Sequence, residues 1–229
     1  MAQSRPRRRG DRAARTPSAR GSSAAKYNAA YTAKKDFIAR PNAFLARCLK
    51  RLCPSAPLRA VSQRPPRTRR ALDIGLGQGR NAILLAKNGY ATTGIDRSEV
   101  GVQAARRMAE ARGLSITAIV ADTRRYDFGK NRWDLIALLY YPQPMILIER
   151  LKAAVRPGGC IVVERFTSVT DANPRDDREQ RKHSPMLRAF VDWRVLHYEH
   201  DEFRSDWHWD GESATGAIVR LLARKPWRG

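Results

Sequence analysis

A chain of 229 residues, 42% of them hydrophobic, is long enough to bury one substantial core. It has neither the roughly 18 uninterrupted apolar residues of a membrane span nor the N-terminal apolar segment of a secretory signal, so a cytoplasmic protein with no membrane partner is expected. Cys48, Cys53 and Cys160 form an odd set with no ligand-like grouping, which argues against a disulfide framework and against a metal site, while the net charge of +22 reflects either an anionic partner or a general preference for arginine.

Residues 1–25 carry Arg5, Arg7, Arg8, Arg9, Arg12, Arg15 and Arg20 against the single acid Asp11, and after Met1 no apolar side chain larger than Ala. Such a segment cannot bury enough surface to order itself. A disordered basic tail, able to hold nucleic acid nonspecifically, is therefore expected before a domain spanning 26–229. From Tyr27 to Leu52 the large apolar residues return at helical spacing, with Asn42 placed as an N-cap. Residues 55–70, rich in Pro and Arg, read as a surface connection.

Beyond Arg70, short apolar runs alternate with helical segments, the pattern of βαβ units around a parallel sheet. Strands are expected at 71–74, 90–95, 115–120, 133–140 and 160–163. The helix opened by Ser98 is expected to bury Val100, Ala104, Met108 and Ala111, and the one after the fourth strand Ile146, Leu147, Leu151 and Val155. Residues 167–183 read as a long loop. A short helix over 185–193 is expected to bury Leu187, Phe190 and Val191, and strands at 195–198 and 217–223 close the chain.

The most informative local pattern is Asp73-Ile-Gly75-Leu76-Gly77-Gln-Gly79, where a strand gives way to a helix. Glycines at such a turn let backbone approach a ligand, and amides at a helix start hold anionic groups. A nicotinamide-type fingerprint needs a third glycine where Arg80 stands. Asp96 ends the second strand, where an acid accepts from a ribose diol, and Asp122 follows the third strand, so three acids are expected at one sheet edge.

The segments Ala71 to Ala82, Gly94-Ile95-Asp96-Arg97-Ser98, Ala121-Asp122-Thr123 and Arg156-Pro157-Gly158-Gly159 resemble, in order and spacing, the successive motifs of class I S-adenosylmethionine-dependent methyltransferases. Gly79-Arg80-Asn81-Ala82 and the upstream Pro41-Asn42-Ala43-Phe44-Leu45 further resemble the tellurite-resistance-like branch of bacterial small-molecule methyltransferases. The resemblance implies an α/β fold with a doubly wound, mostly parallel seven-stranded Rossmann-like sheet, and S-adenosyl-L-methionine as cofactor. It implies that Asp73 and the loop Gly75, Leu76, Gly77 and Gly79 face the methionine portion. Asp96, with Arg97 beside it, would take the ribose; Asp122, with Thr123, the adenine amino group; and the run through Leu139, Tyr140 and Tyr141 the methyl end. Tyr27 and Tyr31 are candidates to close over the cofactor, though helix packing explains them equally.

A methyl on a sulfonium has a good leaving group, so a general base is optional. Glu164, His183 and Tyr141 are the candidate catalytic residues. The segment Tyr140-Tyr141-Pro142-Gln143-Pro144 differs from the Asp/Asn-Pro-Pro-Tyr/Phe of exocyclic-amine nucleic-acid enzymes and lacks a Cys nucleophile. The expected activity is methyl transfer to a small-molecule acceptor by a monomer or weak homodimer. RNA modification through the basic surface is the alternative.

Overall fold

The computed structural model describes residues 23–33, 40–52, 68–167, 184–206 and 215–227. Residues 1–22, Phe37, Cys53, most of the expected connection and the 168–183 stretch with His183 lie outside the described residues. Helices α1 (Ser23–Ala33) and α2 (Ala43–Leu52) precede strand β1 (Arg69–Ile74). There follow α3 (Arg80–Lys87), β2 (Tyr90–Asp96), α4 (Glu99–Glu110), β3 (Thr117–Val120) and β4 (Trp133–Leu139). A 3-10 turn at Pro144–Ile146, α5 (Ile148–Ala154), β5 (Val155–Phe166), α6 (Pro185–Arg188), β6 (Arg194–Arg204) and β7 (Thr215–Arg224) complete it. The domain start expected at residue 26 falls inside α1.

The seven strands lie in the order β3-β2-β1-β4-β5-β7-β6, with β1 to β5 parallel and β7 antiparallel to both neighbours. The chain reverses its direction of winding between β1 and β4, which opens a crevice at their C-terminal ends. Side chains alternate across each strand. Leu72, Ile74, Ile136, Leu138, Ile161 and Val163 pack on the α5 and α6 side, while Ala71, Leu135, Ala137, Cys160 and Val162 meet α2 and α3. Asp73 and Glu164 share the parity of that second set, which puts two buried carboxyls among apolar neighbours.

Four details differ from the sequence reading. Helix α4 buries Gly101, Val102, Ala105 and Ala109, and leaves Ala111 exposed with Val100, Ala104 and Met108 only half-buried. The buried face is the small one because α4 lies against the glycine loop: a Cβ on Gly79, at φ +86°, would stand 2.8 Å from the Ala105 Cβ. The helix before β5 stops at Ala154, so Val155 opens the strand, and Ile146 sits exposed in the 3-10 turn. Helix α6 ends after one turn, which re-aims the chain so that Met186, Phe190 and Trp193 are buried while Leu187 is half-buried and Val191 is 86% exposed. Strands β6 and β7 run well beyond the expected lengths, because cross-strand pairing carries the charged stretch from Glu199 to Arg204.

Asn42 caps α2 as expected, its Oδ1 accepting from the Leu45 amide at 2.7 Å. It also donates from Nδ2 to Glu164 Oε1 at 2.6 Å and to Asp206 Oδ1 at 3.2 Å. Its own amide donates to Asn81 Oδ1 at 2.9 Å. Asn42→Ala removes a cap worth about 0.5–2 kcal/mol and a partner of a buried carboxylate worth about 1–3 kcal/mol. Urea unfolding should therefore show a loss of about 1.5–5 kcal/mol by those magnitudes. A midpoint equal to the parent's would contradict the network.

Candidate functional site

A cleft of about 460 Å³ opens at the C-terminal ends of β1, β2 and β4. That volume lies within the roughly 300–1,000 Å³ of small-molecule and cofactor sites. Gly75, Leu76, Gly77 and Gln78 form one wall, Asp96, Arg97 and Thr123 a second, and Leu139 to Gln143 a third, with Tyr27 and Tyr31 of α1 across them.

The loop is folded by its own backbone and by one acid. The amides of Gly75 and Leu76 donate to the Ile95 carbonyl at 2.9 and 3.0 Å. Gly77, at φ +50°, points its N–H at Asp96 Oδ2 (2.8 Å), and the Ser98 N–H reaches Asp96 Oδ1 (2.8 Å). Burial raises the Asp96 carboxyl above its ordinary value, against the pull of these backbone donors.

Asp73 lies beneath the loop, 1% exposed, and its Oδ2 has no hydrogen-bond partner. Burial pushes its carboxyl up to about 8, although the Arg80 guanidinium and the Ala82 amide act to lower it. Arg80, the first residue of α3, lines the cleft. Its Nη1 donates to the carbonyls of Arg40 and Asp206 at 3.0 and 3.1 Å, and its Nη2 to Asp206 Oδ1 at 3.3 Å. An unpaired buried carboxyl oxygen near a fixed guanidinium complements the ammonium and carboxylate of an amino-acid head group.

At the end of β4, Tyr140 holds a left-handed backbone, φ +53°, which a bulky residue adopts only under local constraint. Its N–H donates to the Glu164 carbonyl at 2.7 Å, and its ring tilts against Phe166 at 5.3 Å. Burial, then the neighbouring Glu164 carboxylate, pushes the phenol upward, so it stays protonated at neutral pH. Tyr141 turns back into the cleft, its hydroxyl 2.6 Å from that of Thr123 and its ring edge 3.8 Å from the position of a Cβ on Gly75.

Of the residues anticipated from sequence, Gly75, Leu76, Gly77, Asp96, Arg97, Thr123, Leu139, Tyr140 and Tyr141 border this cleft. Gly79 does not; it accommodates Ala105. Nor does Asp122, whose carboxylate accepts from Arg124 Nη2 at 2.9 Å and from the Arg124 amide at 3.0 Å, bonds that chiefly hold it well below the usual carboxylate range, with Arg97 Nη2 also at 3.0 Å. Glu164 is 1% exposed, bound by Asn42 and by Arg220 Nε at 2.5 Å, and so stands behind the wall. Arg80, Asn81 and Gln78 were missed as wall residues, although their position at the start of the helix after a glycine loop was the available signal. Among the described residues no group of three or more metal-binding side chains occurs, and no helix is long and apolar enough to cross a membrane.

Residues 71–159 match the family model described as a methyltransferase domain. The ubiquinone biosynthesis O-methyltransferase of Coxiella burnetii is 33% identical over 92 residues, 38% of this chain and 39% of that protein. The chain thus spans about two fifths of the length of the curated relatives it matches. A structure solved for the conversion of a disulfide bond into a thioacetal group during echinomycin biosynthesis has a TM-score of 0.61 at 20% identity, covering 90% of this chain and 94% of that one. TehB from Haemophilus influenzae has a TM-score of 0.55 at 21% identity, over 69% and 58%. At these identities the two structures establish the fold.

The raised Asp73 carboxyl sets a sign for pH dependence. An unfolded chain ionises this group near 3.8, whereas the folded protein holds the proton until about 8. Its contribution to stability is therefore present at low pH and is lost as pH rises through that window. Asp73→Asn should flatten the decline, so its stability relative to the parent should improve between pH 4 and pH 8. Parallel stability curves for the two proteins would contradict the placement of Asp73.

Proposed function

We propose that this chain is a class I S-adenosylmethionine-dependent methyltransferase that transfers a methyl group from S-adenosyl-L-methionine to a small-molecule acceptor. The observation that carries this reading is that the glycine loop, Asp96 and Thr123 border one cleft while Asp73 beneath the loop keeps an unpaired oxygen.

When bound, the cofactor supplies a methyl group on a positively charged sulfur. Asp96 is the acceptor for the ribose hydroxyls, using the lone pairs left free by Gly77 and Ser98. Thr123 borders the adenine. Asp73 and Arg80 receive the ammonium and carboxylate of the methionine head. Leu139, Tyr140 and Tyr141 border the transferred methyl, and the aromatic walls exclude water from that end. Catalysis comes chiefly from holding acceptor and methyl in line, since positioning supplies up to about 7–11 kcal/mol by removing the entropy of encounter.

Of the two candidate catalytic residues among the described residues, Glu164 and Tyr141, it is Tyr141 that lines the cleft, and its hydroxyl, shared with Thr123, orients the acceptor. Glu164 is a supporting group for Tyr140. The acceptor class draws support from the resemblance to the tellurite-resistance-like branch and from relatives described as ubiquinone biosynthesis O-methyltransferases.

Calorimetry with S-adenosylhomocysteine and with NADH tests the reading: the first should bind and the second should not. Asp96→Ala should weaken S-adenosylhomocysteine by about 10- to 100-fold, since hydrogen bonds to a charged acceptor are worth about 1.5–3 kcal/mol. Tight NADH binding without a response to S-adenosylhomocysteine would overturn the proposal.

A further inference from the structure

The end of the sheet opposite the cleft is lined with arginine. β1 opens on Arg69 and Arg70, Arg132 directly precedes β4, and Arg156 is the second residue of β5. β7 closes on Arg224 and β6 opens on Arg194. Because β1, β4, β5 and β6 share one direction and β7 runs against them, all these residues stand at the same end. Their strands are neighbours in the order β1-β4-β5-β7-β6, and neighbouring strands lie about 4.7–4.9 Å apart, so the row is about 19 Å long. Segments far apart in the chain thus deliver an arginine from every strand to one edge.

The row is incompletely neutralised. Asp134 offsets one charge, with its Oδ1 3.4 Å from Arg156 Nη1 and its Oδ2 accepting from the Arg70 amide at 2.7 Å. Arg194 and Arg224 stand directly opposite each other in the β6–β7 ladder, and like charges so placed are destabilising. The Nε donors of Arg156 and Arg224 have no hydrogen-bond partner. An anion set along this edge offsets the repulsion.

An aromatic surface lies at the same end. The pairing of β7 continues past its last residue, the Gly158 N–H donating to the Lys225 carbonyl at 3.0 Å and the Lys225 N–H to the Gly159 carbonyl at 2.9 Å. This carries Trp227 over Gly158, where three atoms of its six-membered ring would stand 2.4–2.6 Å from a Cβ. The ring rests on glycine backbone, yet Trp227 is 76% exposed. An open ring beside a line of cations is the combination that holds single-stranded nucleic acid, the cations following the phosphates and the ring stacking a base.

We propose that this edge is a docking surface for single-stranded nucleic acid, with phosphates along the arginine row and a base on Trp227. β1, six residues long, spans about 20 Å, so the docked strand lies a sheet's length from the cleft and is held there without being placed for methylation. The inference goes beyond the methyl-transfer reading and does not depend on it. Val195, exposed beside Arg194, would suit an anionic membrane surface, and the experiment separates the two.

The test titrates the full chain with a labelled oligoadenylate RNA of about 12 nucleotides, within the usual span of one such site. Inorganic polyphosphate, which has no bases, and phosphatidylglycerol vesicles are titrated in parallel. Trp227→Ala should weaken oligoadenylate binding at least about fivefold and leave polyphosphate binding unchanged, and Trp227→Phe should recover most of the loss. The pair Arg132→Gln and Arg194→Gln should weaken both and lower the logarithmic salt slope for oligoadenylate by about 1.4, at about 0.7 per phosphate contact on a single strand. Urea midpoints report whether each variant folds; should Trp227→Ala unfold, the arginine pair alone decides. Oligoadenylate binding that keeps its affinity and salt slope in the arginine pair overturns the surface. Vesicle binding that falls in these variants while oligoadenylate binding does not overturns it in favour of a membrane.

Discussion

The Asp96 carboxylate is the hinge on which the site turns. One oxygen accepts from Gly77 in the loop after β1, the other from Ser98 at the start of α4. A single side chain at the end of β2 thereby fixes the loop, the first turn of α4 and, through the Ser98 hydroxyl, the helix α1 that docks there. The arrangement requires small residues where these parts meet, and Gly77, Gly79, Gly101 and Ala105 stand at those positions. Larger side chains would separate the loop from α4 and leave the carboxylate buried without its backbone donors, a costly state for a charge.

A second polar centre lies across the crevice. Glu164, Arg220, Asn42, Asp206 and Arg80 join β5, β7, α2, α3 and the residues after β6 through hydrogen bonds of 2.5–3.3 Å. Buried charges persist in a fold when each is paired. Here Glu164 has Asn42 on one oxygen and Arg220 on the other, while Arg220 also meets Glu199 at 3.3 Å. The Glu164 carboxylate is thus paired on both oxygens behind the cleft wall, and it is the backbone carbonyl of the same residue that accepts from the Tyr140 N–H at the left-handed turn.

Much of the core architecture was legible in the chain. Strands β1, β2 and β4 announce themselves as apolar runs, Asn42 and Ser98 as caps, and Gly75, Gly77 and Asp96 as neighbours in space, because strand-to-helix turns in a parallel sheet all open on one edge. What escaped the sequence depended on contacts distant along the chain. The face of α4 was misread because hydrophobic periodicity weighs Val100 and Met108 above Gly101 and Ala105, whereas close packing selects the small side. Asp122 follows β3 as Asp96 ends β2, but Arg124 and Arg97 claim its carboxylate. The unpaired oxygen of Asp73 and the strained Tyr140 backbone have no sequence signature, since both arise from what surrounds them.

In the proposed placement the nucleoside lies at Asp96 and Thr123, the amino-acid head at Asp73 and Arg80, and the methyl end at Leu139 to Tyr141. A crystal structure of the chain with S-adenosylhomocysteine measures it directly. The account predicts ribose hydroxyls within hydrogen-bond reach, about 2.5–3.0 Å, of Asp96, with the sulfur toward Tyr140 and Tyr141 and the ammonium toward Asp73. A nucleoside seated away from Asp96, or a ligand lying outside this cleft, would contradict it.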